Sequence, residues 1–226
     1  MIQYKSQKDR FLEAEGDAWF ERNRVSVSQR DYESNDLVAR AVLRCLALES
    51  HIRRPDSTRN KILEIGCGEG SRLAWLKENS LSDCYGIDPS KRAISEAREK
   101  GVRAEVGTAD SLPFSDNFFD IVIFGFCLYL CDRDDLFTVA REANRVLKGS
   151  SWVIIQDFFS NSDFRNHYAH SEGIYSYKMD YRKLFDWHPN YSCISHEVFS
   201  HDALRYTDDK GEWVSTSVIR KYADFE

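Results

Sequence analysis

The spacing of apolar residues divides the chain into three zones. In the first zone, which reaches to about residue 58, apolar side chains recur at steps of three and four residues, as they do in amphipathic helices. Gly16 is expected to end one helix and Asp17 to begin the next, and a further helix is expected after an N-cap at Asn35. The apolar face of that further helix comprises Leu37, Ala41, Cys45 and Leu48. The first zone is therefore predicted to form an N-terminal helical cap over residues 1–58.

The second zone, about 60 to 158, alternates short apolar runs with helical patterns. Five strands are predicted, at 61–65, 83–87, 102–106, 118–124 and 152–156. Helices are predicted between them at 70–79, after the N-cap Ser90, and at 134–147. The fourth run is apolar throughout, which is typical of a strand buried on both faces of a sheet. This alternation predicts an α/β fold, in which helices cover both sides of a mostly parallel sheet.

The third zone, 159–226, loses this alternation. Residues 159–190 are crowded with tyrosine, histidine and charged side chains, and we interpret them as an insertion. Segments 191–199 and 212–221 alternate along their length, and a polar turn at 208–211 precedes the second segment. They are expected to form an antiparallel hairpin at one edge of the sheet. The chain is thus predicted to consist of the cap and one domain, 59–226, which carries the insertion at about 159–190.

Composition and charge narrow the class of protein. Hydrophobic residues make up 42% of the 226 residues and aromatic residues 13%, which excludes an intrinsically disordered chain. The chain has 31 Lys and Arg against 37 Asp and Glu, and a net charge of −6 weighs against a nucleic-acid partner. The richest basic cluster is interpreted as a solvated surface loop. Its members are Arg53, Arg54, Arg59 and Lys61.

Neither a membrane span nor a metal centre is predicted. The longest apolar runs, 121–131 and 152–155, are shorter than the roughly 20 residues that a membrane helix needs. The first ten residues are polar and lack the apolar core of a signal peptide, so a cytoplasmic location and no membrane partner are expected. The six cysteines form no C-x-x-C pair, and no histidine accompanies Cys127 and Cys131 at zinc-binding spacing. We expect reduced thiols and no metal.

The most informative motif is Leu-Glu-Ile-Gly-Cys-Gly-Glu-Gly at 63–70, where the first predicted strand gives way to a helix. Glycines there let the backbone turn tightly and let a ligand approach main-chain atoms. A dinucleotide site has a similar bend, but its G-x-G-x-x-G pattern would place the third glycine at Ser71. Glu64 is also unfavourable beside a pyrophosphate and suits a cationic ligand. An NAD-linked oxidoreductase is therefore disfavoured.

Two carboxylates follow later predicted strands. Asp88 lies 20 residues after Gly68, where Rossmann-type sites place an acidic residue on ribose hydroxyls. The alternative is that Asp88 only caps the following helix, although Ser90 is a rival cap. Asp110 ends the third strand region and can accept a hydrogen bond from an adenine amino group while Leu112 covers the ring.

Residues 61–157 resemble a class I S-adenosylmethionine-dependent methyltransferase of the small-molecule type. Besides the motif at 63–70, the matching pieces are Gly-Ile-Asp-Pro-Ser at 86–90, Ala-Asp-Ser-Leu-Pro-Phe at 109–114, Phe-Phe-Asp-Ile-Val-Ile at 118–123 and Glu-Ala-Asn-Arg-Val-Leu-Lys-Gly at 142–149. The resemblance covers nearly half of the chain and keeps the motifs in order. It implies a Rossmann-like, mostly parallel seven-stranded sheet whose last two strands form the antiparallel edge.

The resemblance also implies which residues bind S-adenosylmethionine and its product S-adenosylhomocysteine. The glycines and the backbone at Cys67 would line the methionine and ribose portion, Glu64 would lie near the cationic end, and Asp88 would bind the ribose hydroxyls. Asp110 and the backbone at Ser111 would recognise the adenine edge. The full set of implied positions is Glu64, Gly66, Cys67, Gly68, Ile87 or Pro89, Asp88, Asp110, Ser111, and the carbonyls around Phe124 and Gly125 for the methionine amino group.

The catalytic residues are less clear, because this chain lacks the histidine that many small-molecule members have after the fourth strand. Tyr129 stands in that segment instead. Asp157, at the end of the fifth strand, and His170, in the insertion, are the first choices for a base or orienting group. His196 and His201 lie on the predicted hairpin and are interpreted as structural. Trp19 and Phe20 are expected to form a lid over the cofactor, or to pack the cap onto the sheet.

The acceptor is expected to be a small polar molecule, methylated at oxygen. The segments at 15–23 and 194–201 loosely resemble those of bacterial methyltransferases associated with surface-polysaccharide pathways, which favours a sugar, a nucleotide-linked sugar or a related anionic precursor. Four cations are available to pair with such an anion, namely Arg22, Arg24, Arg53 and Lys178. A non-catalytic cofactor-binding subunit or sensor remains the alternative. A monomer or a homodimer is expected.

Overall fold

A seven-stranded sheet organises the computed structural model of the chain, which describes residues 5–28, 35–52, 59–202 and 205–223. In chain order its strands are β1 (Asn60–Ile65), β2 (Ser82–Asp88), β3 (Arg103–Val106), β4 (Phe119–Gly125), β5 (Leu147–Phe158), β8 (Tyr191–Ser200) and β9 (Trp213–Lys221). Between β5 and β8, the short strands β6 (Phe164–His167) and β7 (Tyr175–Lys178) form a separate two-stranded sheet. Arg53 and Arg54 of the basic cluster lie outside the described residues.

The strand order is β3-β2-β1-β4-β5-β9-β8. The first five strands are parallel, and β9 is antiparallel to both β5 and β8. This confirms the predicted Rossmann-like α/β fold with an antiparallel hairpin at one edge. Because parallel strands share a direction, the carboxyl ends of β1, β2, β4 and β5 lie along one rim of the sheet, and ligands bind at that rim in open α/β sheets.

The helices are α1 (Gln7–Arg10), α2 (Gly16–Ser28), α3 (Leu37–Ile52), α4 (Ser71–Asn79), α5 (Lys91–Glu99) and α6 (Leu136–Val146). Successive residues of a strand point to opposite faces, and β4 shows this directly. Val122 belongs to the core on the α6 side, whereas Ile121 and Ile123 belong to the core on the α3 and α4 side. All three are almost fully buried, and each such side chain contributes about 1.5–3 kcal/mol to the stability of the fold.

Two details of the helices differ from expectation. The chain does not break at Gly16, because a π-helical turn, Phe11–Glu15, runs directly into α2 and Gly16 itself is helical. The N-cap of α3 is Asp36 and not Asn35, since the Ala39 N–H donates to Asp36 Oδ1 at 2.7 Å. Asp36 also pairs with Arg72, so a tertiary ion pair favours it over its neighbour as the cap.

The predicted boundaries of the later elements are also shifted. The last helix begins at Leu136, after a 3₁₀ turn at Arg133–Asp135, and β5 extends from Leu147 to Phe158. The predicted insertion contains β6, β7 and a 3₁₀ turn at Tyr181–Leu184. None of the described helices is long and apolar enough to cross a membrane.

Candidate active site

The glycine-rich bend after β1 places its backbone at the carboxyl rim. Gly66, Gly68 and Gly70 have φ values of 76°, 52° and 71°, which L side chains rarely adopt. The N–H groups of Gly66 and Cys67 both donate to the carbonyl of Ile87, at 2.8 and 3.1 Å, which fixes the bend against β2. A Cβ on Gly66 would lie 2.7 Å from the Cβ of Cys127, whereas a Cβ on Gly68 would meet nothing within 4 Å. Gly68 therefore faces open space beside the bend.

Asp88, at the end of β2, lies directly against this bend. Its Oδ2 accepts from the Gly68 N–H at 2.9 Å, and its Oδ1 accepts from the Ser90 N–H at 2.8 Å. Burial raises the pKa of the Asp88 carboxyl to about 6, although these two N–H donors lower it. A carboxylate oxygen can accept more than one hydrogen bond, so both oxygens can also accept from ligand hydroxyls. Ser90 caps α5 by accepting from the Ala93 N–H at 3.0 Å.

Glu64 is held in place by buried charges. Its Oε1 accepts a hydrogen bond from Arg72, whose guanidinium also pairs with Asp36 at 3.0 Å. A Cβ on Gly125 would lie 2.7 Å from Glu64 Oε1, so the end of β4 lies closely against this carboxylate. Two carboxylates therefore share one guanidinium.

A cleft of about 1190 Å³, part of it open to solvent, runs along the rim past these residues. Charged side chains in its wall are the carboxylates of Glu64, Asp88, Asp132 and Asp135 and the cations Lys8 and Arg72. An excess of carboxylates favours a cationic ligand and disfavours a pyrophosphate. The bend, Asp88 and the acidic wall therefore fit the sulfonium cofactor that the sequence indicates.

The N-terminal helices close the cleft from above. Phe11, Gly16 and Trp19 line it, and Trp19 Nε1 donates to the Tyr129 hydroxyl at 3.2 Å. A Cβ on Gly16 would lie 2.8 Å from the carbonyl oxygen of Phe11 and 3.1 Å from the backbone of Pro89. The close approach of this segment to the end of β2 explains the glycine. Phe20 is 2% exposed, so it packs in the interior while Trp19 faces the cleft.

On the adenine side, Asp110 is engaged by a cation. Lys8 Nζ lies 2.6 Å from Asp110 Oδ2 and 2.9 Å from Asp135 Oδ2. Burial raises the pKa of the Asp110 carboxyl, but hydrogen bonds from Lys8 and Thr108 lower it below its usual value. The cleft is lined here by Gly107, Thr108 and Ala109, and not by Asp110 or Ser111. Thr108 and Ala109 follow Gly107, the first residue after β3, and this position at a strand end is the signal that could have indicated them.

The end of β4 contributes a residue that the sequence did not single out. Phe124 is fully buried and packs against Phe185 in the core. Gly125, Phe126 and Cys127 line the cleft, and Phe126 has a φ of 54°. Such a backbone conformation costs on the order of 1–3 kcal/mol in a residue other than glycine, and it concentrates at functional sites.

The predicted catalytic residues lie around the cleft but do not line it. Asp157 is 1% exposed, and its carboxylate accepts from the N–H groups of Leu128, Tyr129 and Phe158 at 2.8, 3.4 and 2.8 Å. Burial raises the pKa of Asp157 to about 7. Tyr129 is buried, which raises the pKa of its phenol well above its usual value. These contacts make Asp157 the anchor of the turn that follows β4.

Apart from His51, which belongs to α3, the histidines are spread over the β5–β9 half of the protein. His170 is exposed, and its ring lies against that of Tyr168, with centroids 5.3 Å apart. His196 lies half-buried on β8 beside Ser217 Oγ, at 2.9 Å, and burial lowers the pKa of its imidazole. His201 follows β8, and its ring packs on Phe158 and Phe126, with centroids 5.2 and 6.3 Å away. Because Phe126 lines the cleft, His201 contacts a ring of the cleft wall directly, whereas His170 is connected to Phe11 only through Tyr168.

Within the described part of the chain, one group of three side chains has metal-ligand atoms within 4.8 Å of one another. They are His201, Asp202 and Glu212, and all three are exposed. Exposed acidic groups commonly gather without an ion, so this arrangement does not by itself indicate a metal centre.

Comparison with known proteins agrees with the site. Residues 63–155 match the family model described as "Methyltransferase domain". The "Uncharacterized methyltransferase YcgJ" of Bacillus subtilis is 35% identical over 112 residues, which cover 46% of this chain and 43% of that protein. The chain thus matches less than half the length of this curated relative. Residues 63–155 are a methyltransferase domain.

Solved structures share the fold at low sequence identity. The Burkholderia thailandensis 1,6-didemethyltoxoflavin-N1-methyltransferase, crystallised with 1,6-didemethyltoxoflavin and S-adenosylhomocysteine, has a TM-score of 0.66 at 14% identity, over 94% of this chain and 88% of that one. The Haloferax volcanii putative methyltransferase, in complex with the Trm112 activator, has a TM-score of 0.65 at 17% identity, over 95% and 99%. The family match and the relative agree with the class I S-adenosylmethionine-dependent methyltransferase that residues 61–157 resemble, and the solved structures share its fold.

Proposed function

We propose that this protein transfers the methyl group of S-adenosylmethionine to an oxygen atom of a small polar acceptor. The observation that carries the proposal is the acidic cleft at the carboxyl rim, in which the Gly66–Gly70 bend and the Asp88 carboxylate face the same space. When bound, S-adenosylmethionine supplies an electrophilic methyl group on a positively charged sulfur. A wall with more carboxylates than cations stabilises that charge.

The residues along the cleft divide the binding of this cofactor between them. Asp88 accepts hydrogen bonds from the ribose hydroxyls, because two backbone N–H groups already hold its carboxylate in position. The backbone of Gly66, Cys67 and Gly68 lines the ribose and methionine portion, with Glu64 beside it. Pro89 and Gly107–Ala109 enclose the adenine, with Asp110 and Ser111 behind them, and the carbonyls of Phe124 and Gly125 hold the methionine amino group.

The other task of the chain is to exclude water and align the acceptor. Phe11 and Trp19 cover the cleft, and the hydrogen bond from Trp19 to Tyr129 joins this cover to the turn after β4. Asp157 acts through that turn, because it binds the N–H groups of Leu128 and Tyr129. Positioning of this kind accounts for much of the rate enhancement available to an in-line displacement.

Cations and aromatic rings beyond the cleft support a sugar-like or anionic acceptor. Lys178 Nζ lies 4.9 Å from the ring of Phe158, and Arg133 lies 4.1 Å from the ring of Tyr177. A second hollow beside β6 and β7 is lined by Arg133, Arg165 and Lys178 together with Asp163. Arg22 and Arg24 pair with the carboxylates of Glu15 and Glu96, whereas Lys178 donates to the carbonyl of Gly211, so Lys178 is the best placed of the predicted cations. Arg53 lies outside the described residues.

A thermal-shift and turnover experiment tests the proposed function. S-adenosylhomocysteine should raise the melting temperature and NAD should not, because a ligand that binds only the folded state stabilises it by mass action. Release of S-adenosylhomocysteine from S-adenosylmethionine is then measured with glucose 1-phosphate and UDP-glucose as acceptors. Binding of the cofactor without release would favour a non-catalytic cofactor-binding subunit.

A further inference from the structure

The turn between β8 and β9 reaches the same rim of the sheet as the cofactor cleft. Phe158, at the carboxyl end of β5, pairs with Val214 at the start of β9, and Ser200 pairs with Trp213. The described residues between Ser200 and Trp213, which are 201–202 and 205–212, therefore lie beyond the end of β5. The N–H of His201 donates to the carbonyl of Glu212 at 2.8 Å, which holds His201 at the base of this turn.

An aromatic wall connects His201 to the cleft. The ring of Phe158 is 5.6 Å from that of Phe126, 5.0 Å from that of Tyr129 and 5.2 Å from that of His201. Phe126 lines the cleft, and Tyr129 is hydrogen-bonded to Trp19 in its cover. The rings of Phe126, Tyr129 and Phe158 thus form a continuous wall that connects the cleft to the imidazole of His201.

The rings that the other described histidine side chains contact do not themselves line the cleft, although Tyr168, beside His170, in turn contacts Phe11 of the cleft cover. His167 packs on Tyr175, His170 on Tyr168, His188 on Trp187 and Tyr191, and His196 on Phe159. None of these partner rings belongs to the residues that line the cleft. Among the five histidines whose side chains are described, His201 is the one whose ring packs on a residue of the cleft wall.

Asp202 lies beside the imidazole. Its Oδ1 lies 3.3 Å from Nδ1 of His201, so the carboxylate favours a proton on Nδ1 and leaves Nε2 to accept one. The His201 side chain is 48% exposed, which leaves it open to an incoming molecule. The other charged groups that face it are Glu212, on the far side of the turn, and Lys178, whose ammonium lies over the Phe158 ring.

We propose that His201, oriented by Asp202, is the general base that accepts the proton of the acceptor hydroxyl. The inference rests on the proposed function and names the residue that the reaction needs. As the acceptor oxygen forms its bond to the methyl carbon, the bond between methyl and sulfur breaks and its electron pair stays on sulfur. The hydroxyl proton passes to Nε2 of His201, which becomes an imidazolium paired with Asp202.

The proposal assigns the substrate a class as well as a base. A hydroxyl of ordinary acidity must lose its proton during attack, whereas a carboxylate or phosphate oxygen need not. An acceptor with a hydroxyl placed against the Phe126–Phe158 wall is therefore expected. Lys178 lies close enough to that wall to pair with an anionic group of the same molecule.

Histidine NMR tests the proposal without knowledge of the acceptor. The pH titration of His201 is followed in protein with ¹⁵N-labelled histidine, once with saturating S-adenosylhomocysteine and once with saturating S-adenosylmethionine, and His201→Gln identifies the signal. These ligands differ by one methyl group and one positive charge. An imidazole close to that charge should titrate about half a pH unit or more lower with S-adenosylmethionine. His196, on the strand that precedes His201 but away from the wall, is the internal control and should not shift.

Each outcome decides a separate point. Two results together support His201 as the general base. The titration of His201 alone shifts to lower pH with S-adenosylmethionine, and His201→Gln binds S-adenosylhomocysteine within about twofold of the unaltered protein. If both ligands bind by calorimetry and His201 titrates equally with each, His201 is too far from the methyl group and only this inference is overturned. If neither ligand binds, the proposed function itself is wrong and the assignment of a base falls with it.

Discussion

Asp17 and Ser90 join the cover of the cleft to its floor. The Ser90 hydroxyl donates to Asp17 Oδ1 at 2.7 Å, and the Ser90 N–H donates to Asp88 Oδ1 at 2.8 Å. Asp17 belongs to α2, which covers the cleft, and Asp88 belongs to the predicted ribose site. One serine therefore connects the segment that covers the cleft with the carboxylate that we propose binds the ribose.

Asp17→Asn should weaken cofactor binding through this connection. Asp17 Oδ1 also accepts from the Arg92 N–H at 3.0 Å, and loss of the charge weakens both hydrogen bonds. Charge-assisted hydrogen bonds contribute about 1.5–3 kcal/mol each, and part of that energy should appear as a roughly tenfold lower affinity for S-adenosylhomocysteine. Isothermal titration calorimetry measures the affinity.

The matched control for Asp17 is Glu21→Gln. Glu21 lies on the same helix and pairs with Arg92 at 2.9 Å on the exposed surface, where ion pairs contribute little. The Glu21 variant should bind S-adenosylhomocysteine as the unaltered protein does. Equal affinities for the two variants would show that α2 does not hold the cofactor site closed.

Gly66→Ala and Gly68→Ala should separate stability from binding. A Cβ on Gly66 would lie 2.7 Å from the Cβ of Cys127, so this variant should lose several kcal/mol of stability, roughly 2–4 by the usual cost of overpacking and backbone strain. A Cβ on Gly68 would meet no protein atom within 4 Å, so its cost in stability is about 1 kcal/mol from the positive φ alone.

For Gly68→Ala, the loss of cofactor affinity should be large although the loss of stability is small. The added methyl group of Gly68→Ala projects into the cleft and should lower the affinity for S-adenosylhomocysteine more than tenfold in protein that is still folded. Urea unfolding and calorimetry on both variants measure the two effects. A Gly68→Ala protein with unchanged affinity would exclude the bend from the cofactor site.

The free energy of unfolding should fall as the pH rises through the titration of Asp157. Burial raises the pKa of this carboxyl from 3.8 to about 7, so the folded protein holds its proton where the unfolded chain has released it. The stabilisation is fully present below about pH 4 and is lost as the pH rises through 7. Its size is on the order of a few kcal/mol, at about 1.4 kcal/mol for each tenfold change in the protonation equilibrium.

Asp157→Asn should reduce this dependence, because the amide keeps an acceptor oxygen and cannot ionise. Asp88, with a pKa of about 6, titrates in the same window, so part of the slope remains. Urea unfolding between pH 5 and pH 8 measures the slope, and Asp116→Asn, at an exposed position, is the control. If Asp157→Asn kept the full slope, the carboxyl would be ionised throughout in the folded protein.

Lys8→Met should change which form of the cofactor is preferred. Lys8 is one of two cations in the wall of the cleft, and its removal makes the wall more negative. The positively charged S-adenosylmethionine should then gain affinity relative to the uncharged sulfur of S-adenosylhomocysteine, by about two- to fivefold at effective protein dielectric constants. Competitive calorimetry gives the ratio of the two affinities. A general loosening of α1 would weaken the binding of both ligands alike and leave this ratio unchanged. Lys5→Met, which removes an exposed partner of Glu13, should leave the ratio unchanged.

Local patterns predicted most of the fold. Apolar runs located all five parallel strands, and alternating segments located the edge hairpin. The clearest run is that of β4, because a strand buried on both faces of a sheet is apolar throughout. The boundaries were less accurate, as at β5, where residues 147–151 look like a turn but extend the strand. The cap of α3 was misplaced by one residue because the pairing of Asp36 with Arg72, 36 positions away, is invisible to a local pattern.

In the candidate site too, local sequence indicates some residues, whereas others depend on contacts between distant parts of the chain. Asp88 and the glycine bend are adjacent in sequence to the strand ends that position them, so local motifs indicate them. The pairing of Asp110 with Lys8 joins residues 102 positions apart and depends on how α1 crosses the rim. His201 was interpreted as structural because nothing near it in sequence shows that the turn after β8 lies beside Phe158. Phe126 carries no motif, and its position on the cleft follows from the turn that Asp157 anchors.

Calorimetric titration of S-adenosylhomocysteine into the unaltered protein and into Asp88→Ala tests the central claim most directly. The unaltered protein should bind S-adenosylhomocysteine at one site. Asp88→Ala should bind it at least tenfold more weakly, because no carboxylate accepts from the ribose hydroxyls. Titration of NAD should give no heat with either protein. Heat from NAD with none from S-adenosylmethionine or S-adenosylhomocysteine would contradict the account.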